Sequence, residues 1–118
     1  MKIYRFDAAV GVPITRFESR NVVIARGVRT TDATQVGVMH LGANGLVGYH
    51  QATSPQLLMV IAGQGWVRGE AGDHRQIVPG QAAFWQKDEW HESGTKTGMS
   101  AVVVESESLD PSVYMQEV

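Results

Sequence analysis

Residues 42–65 read GANGLVGYHQATSPQLLMVIAGQG, and the rhythm of this stretch decides the fold. Gly42-Ala43-Asn44-Gly45 is built from residue types that turn a chain. A short run from Leu46 to Ala52 follows it. Gln56 to Ala62 is nearly all apolar, which predicts a strand buried on both faces. Gln, Leu and Met favour helix by propensity. The run is nevertheless too short for a helix, and it sits between Pro55 and Gly63. Gly63-Gln64-Gly65 supplies the next turn.

The same rhythm continues outward. Upstream lie Asn21 to Arg26 and Thr34 to Leu41. Downstream come Gly65 to Gly69, then His74 to Val78 after a Gly72-Asp73 turn, then Ala82 to Gln86 after Pro79-Gly80. His91 to Ser93 and Met99 to Glu105 complete the series. Roughly eight or nine short strands with a turn signal about every ten residues predict an all-β sandwich or barrel. One domain over 1–118 fits the length, with a core of about 34–105, N-terminal strands in 1–30 and a tail at 106–118. Asp110-Pro111 could start a short C-terminal helix, since Pro suits the first helical position. Draping over a neighbouring subunit suits the tail equally.

Composition narrows the function classes. Apolar residues at 43% and charged residues at 19% fit a folded chain rather than a disordered one. Ten basic against twelve acidic side chains leave a formal charge of -2, which argues against a nucleic-acid partner and against recruitment to an anionic membrane. The absence of cysteine removes disulfides, thiolate nucleophiles, iron–sulfur clusters and Cys-type zinc sites. Met1 to Asp7 mixes charge with aromatics, and no run approaches the ~18 apolar residues of a membrane span. The expected location is cytoplasmic.

Chemistry therefore rests on few groups. The histidines are His40, His50, His74 and His91. His74 belongs to an expected exposed turn, and His40 to the end of an apolar strand. His50 and His91 each sit where a strand follows a turn. The stretch 42–65 resembles the first motif of the cupins, with His50 at the first His position, Gln56 at the fourth-ligand position and Gly63 after six intervening residues. PGQAAFWQKDEWH, residues 79–91, resembles the second cupin motif and ends on His91. This resemblance to a small single-domain cupin implies a double-stranded β-helix, a jelly-roll barrel of two antiparallel sheets. It also implies a centre for a divalent transition metal (Zn, Ni, Mn, Fe or Cu) on His50, Gln56 and His91. The first motif is incomplete, because Ala52 stands where the second His belongs. Two imidazoles and a neutral amide make a weaker donor set than three imidazoles and a carboxylate.

Alternation along strands extends the candidate pocket. Counting from Gln56 puts Leu58, Val60 and Ala62 on one face, and counting from Met99 adds Ala101 and Val103. Ala52 leaves space for part of an organic ligand, and His40 is the one histidine placed to replace the missing ligand. Glu92 points away from the pocket if His91 points in. Three functions compete. A small polar organic molecule could bind in the barrel, with or without a weak His/His/Gln metal centre. A metal-dependent enzyme, a sugar-acid isomerase or oxygenase, is the second. A metal-free structural protein with a decayed site is the third. Open sheet edges, with apolar segments at Met1 to Phe6 and Val22 to Ala25 able to add strands, lead to the expectation of a homodimer.

Overall fold

The computed structural model describes residues 1–72 and 74–118. Asp73, half of the expected Gly72-Asp73 turn, lies outside the described residues. The strands run in chain order as β1 (Lys2–Arg5), β2 (Val12–Pro13), β3 (Val23–Ile24), β4 (Gln35–Leu41), β5 (Leu46–Gln51) and β6 (Gln56–Gly63). They continue as β7 (Gly65–Arg68), β8 (Arg75–Ile77), β9 (Gln81–Trp85), β10 (Trp90–Gly94), β11 (Met99–Glu105) and β12 (Gln116–Glu117). One sheet has six strands in the order β12-β1-β9-β6-β11-β4. A second has four, β5-β10-β7-β8, and β2 pairs β3 as a separate ribbon. Every pairing is antiparallel. This is the antiparallel sandwich that the turn rhythm predicts, in the jelly-roll arrangement that the resemblance implies.

The apolar run in β6 becomes a central strand of the six-stranded sheet, flanked by β9 and β11. Both its faces are covered from Leu57 to Val60, while Ile61 and Ala62 at its far end are exposed, against the expectation for the whole run. Leu58 and Val60 point between the sheets into a core with Val67, Ile77, Ala83, Trp85, Met99, Ala101 and Val103. Leu57 points to the other side, into a second cluster with Tyr4, Ala82, Val104, Leu109 and Met115. Each fully buried Leu, Ile or Val side chain contributes about 1.5–3 kcal/mol relative to exposure. The tail therefore has a packing role: Leu109 and Met115 cover the outer face of the large sheet.

Three expectations change. The tail forms only a three-residue 3-10 turn, Pro111–Val113, in which the Asp110 carboxylate accepts from the Ser112 amide, and then pairs as β12 with β1. Of the Asn21 to Arg26 run only Val23–Ile24 is strand. Met1 to Phe6 does supply an added strand, but β1 closes the β9 edge of its own sheet. The end strands of the large sheet are β12 and β4. No helix among the described residues is long and apolar enough to cross a membrane.

Candidate functional site

The site begins with a break in alternation. Val47 packs against the core, so regular pleating would turn His50, three residues on, outward. Between His91↔His50 and Ser93↔Val47 the register shifts, because three steps along β5 match two along β10. That bulge turns His50 back to the inner side. The two imidazoles meet there with ring centroids 4.3 Å apart. The exposed ring is His50, and the buried one is His91, at 3% exposure. Tyr49 is sent to the outer face, where it meets Trp90 and carries the Arg68 guanidinium 4.1 Å above its ring. Glu92 points outward as parity demands and accepts from Arg68 Nε at 2.7 Å.

The large sheet faces this pair with a row of inward residues at one level. Register sets Gln35 beside Glu105, Glu105 beside Gln56, and Gln56 beside Trp85. Gln56 Nε2 donates to Glu105 Oε1 at 2.6 Å. Trp85 is fully buried and stacks on His91, centroids 4.5 Å apart. Thus His50 and His91 stand over Trp85, with the Gln56–Glu105 pair next to it on the sheet. Glu105 and Val103 also line a cavity of about 280 Å³ with Gln35, Gly37 and Met39.

Electrostatics separate the two rings. Burial pushes the His91 pKa below its usual value, and the neighbouring His50 pushes the same way. The Glu89 carbonyl and the Glu89 and Glu105 carboxylates act in the opposite sense but do not reverse it. His91 is therefore neutral at pH 7. Both rings turn Nδ1 to a main-chain carbonyl: His50 to Gly48 O at 2.6 Å, His91 to Glu89 O at 3.4 Å.

Not every predicted pocket residue belongs here. His40 lies opposite Ser100 on the outer face of the large sheet, bonded Nδ1 to Oγ at 2.9 Å, and is exposed. Parity explains this: its neighbours Met39 and Leu41 take the inward positions of β4. It cannot replace the missing ligand. Leu58, Val60 and Ala101 have at most 2% exposure, so they fill the core rather than line a cavity. Ala62 is exposed because a second register shift, at Ser100/Ala101, displaces it from the inward series. Ala52 is buried just past β5, held by main-chain bonds to Asp88 and Glu89. Of the apolar set, Val103 is the member that lines this cavity. Glu105 is a site residue that sequence reasoning missed, although alternation from Met99 through Ala101 and Val103 leads to it.

The donor set does not make a closed metal centre. Among the described residues no three His, Cys, Asp or Glu side chains gather. Two imidazoles remain with the Gln56 amide, whose Nε2–H is engaged by Glu105 and whose carbonyl oxygen is a neutral, hard donor. Glu105, the carboxylate of this cluster, is bonded to Gln56 and does not gather with the two imidazoles into a three-donor group.

No family model matches the chain, and no curated protein matches it. Solved structures do. A cupin superfamily protein from Desulfitobacterium hafniense superposes with a TM-score of 0.58 at 14% identity, covering 80% of this chain and 94% of that one. A DMSP lyase from Ruegeria pomeroyi gives a TM-score of 0.61 at 16% identity, over 91% of this chain and 57% of the lyase. A predicted oxalate decarboxylase from Thermotoga maritima gives 0.54 at 21% identity, over 58% and 62%. At such identities the likeness establishes architecture and leaves activity to the site itself.

Proposed function

We propose that this small cupin domain binds a small polar organic molecule at the mouth of its barrel, by direct hydrogen bonds and without a resident metal. The observation that carries the reading is the pairing of His50 with His91 beside Gln56–Glu105. A cavity of about 280 Å³ adjoins Glu105, near the lower end of ligand-site volumes. One ring is buried and fixed, and the other is exposed at the entrance. Such a site combines a rigid anchor with an accessible contact.

The test is a thermal-shift screen of small amines, alcohols, sugars and acids, since a ligand that binds the native state raises its melting temperature. Wild-type protein should respond to members of one chemical class. His50→Ala should keep the unliganded melting temperature and lose the response. An identical response in the variant would contradict the site. Elemental analysis of untagged protein should find less than about a tenth of an equivalent of transition metal, given this donor set. A full equivalent that disappears in His50→Ala would replace the reading with a metal-dependent one.

A further inference from the structure

A strand at the end of a sheet leaves a row of main-chain donors and acceptors without a ladder. Folded proteins protect such ends with charge, proline, bulges or brevity. Three of the four ends of the two main sheets are protected in that way. β12 has two residues, and its Glu117 meets Lys2 at 3.9 Å. β8 has three residues and carries Arg75. β5 carries the bulge opposite β10. β4 has none of these devices. It runs for seven residues as QVGVMHL, without a charge or a proline, and its ladder to β11 is regular from end to end. Among the described residues, no main-chain bond joins β4 to any strand or loop but β11.

The side chains beside this edge are apolar and bare. Val36 and Val38 stand opposite Val104 and Val102 on the outer face of the large sheet and are 63% and 53% exposed. Unpaired main chain next to exposed apolar side chains is a template for a further strand. The area of the molecule points to what supplies it. The chain exposes 7097 Å². A folded monomer of 12.9 kDa exposes about 6,300 Å² by size scaling. The surplus of about 800 Å² matches what one partner buries in an interface of standard size.

We propose that β4 is the interface between two copies of this chain, paired antiparallel about a twofold axis at Val38. That register overlaps all seven residues and joins the two six-stranded sheets edge to edge. Directly opposed residues share a face, so the register decides which side chains meet. On the outer face Val38 meets Val38 of the second copy, and Val36 meets His40. On the inner face Met39 meets Gly37, where a Cβ would have no neighbour within 4 Å and the thioether therefore has room. A slip of one residue would set the outer face of one copy against the inner face of the other. The strand carries no charge that would select an acidic or a basic partner instead. Met39 of the second copy then stands at the rim of the cavity lined by Gln35, Gly37 and Met39. The pairing is independent of what that cavity holds.

Sedimentation equilibrium of the full chain tests the assembly, and cysteine pairing tests the register. Wild-type protein at micromolar concentration should sediment at twice 12.9 kDa. Val38→Lys places two like charges at the axis and should return the monomer. Its circular-dichroism spectrum should stay unchanged, because the side chain it replaces is exposed. The chain has no cysteine of its own, so Val38→Cys carries a single thiol. Opposed residues at the axis have Cα atoms about 4.5–5.5 Å apart, within disulfide reach, and mild oxidation should yield a covalent dimer. In Val36→Cys the four-residue offset sets the two thiols roughly 14 Å apart, and that variant should stay unlinked. A monomeric wild-type chain would overturn the proposal. So would a dimer that survives in folded Val38→Lys, one in which Val38→Cys fails to link, or one in which Val36→Cys links as readily. Should Val38→Lys lose its fold, the two cysteine variants decide. None of these outcomes bears on the thermal-shift response, which tests the binding reading separately.

Discussion

His91 concentrates the site's energetics in one ring. It is buried against Trp85 and must remain neutral there. A base whose folded pKa is lowered binds protons more readily in the unfolded chain. Its stabilising contribution is full above about pH 6.5, the unfolded value, and declines as pH falls from there toward the lowered folded value. Urea midpoints should therefore drop between pH 7 and pH 5, and His91→Gln should abolish that component of the drop. A wild-type midpoint that holds level across this window would refute the assignment. Asp7 titrates lower: Arg5 grips both its oxygens at 2.7 and 2.8 Å and holds its pKa at about 2, so its contribution is lost only as pH falls from about 3.8 toward 2. The two windows are separable. Among single residues, His50 and His91 were legible through the resemblance of their segments to the two cupin motifs, since a place after a turn is not diagnostic alone. Glu105 was not, because a Glu at a strand end reads as solvated surface and its partner Gln56 is remote in sequence.

Turns fix the strands, and bulges fix what the strands display. Gly63 shows the first point. It holds φ of +71° between β6 and β7, and a Cβ there would run into the Gly98 carbonyl, which is main chain and cannot swing aside. Gly63→Ala should lower stability by about 2 kcal/mol or more, as read from denaturant midpoints. A loss below about 0.5 kcal/mol, the level of an ordinary surface change, would mean the turn relaxes freely. The bulges show the second point. Strand positions from β4 to β11 could be read from apolar runs and their punctuation. Facing could not always be read, because two register shifts interrupt strict alternation. One turns His50 inward, and the other turns Ala62 outward. Hydrogen-bond register across strands creates these shifts, and no local residue type records it. His40 differs: its parity could not be fixed from sequence, and only the inward placement of Met39 and Leu41 puts it on the outer face.

At the scale of the molecule, two sheets bring distant segments to one place. The motif near residue 50 and the motif near residue 91 become paired neighbours on β5 and β10. Gln56 and Glu105 become neighbours on β6 and β11. The stacked Trp85 joins the two sheets at this point. The first twenty-odd residues and the tail were the least legible parts. Their contributions are long-range: β1 and β12 extend the large sheet, while Leu109 and Met115 seal its outer face. The site depends on the meeting of the two imidazoles. A nuclear Overhauser spectrum of the protein in solution measures that meeting directly. Cross-peaks between ring protons of His50 and His91 are expected, together with contacts from His91 to the Trp85 indole. Ring protons of His50 and His91 that show contacts to other residues and none to each other would contradict it.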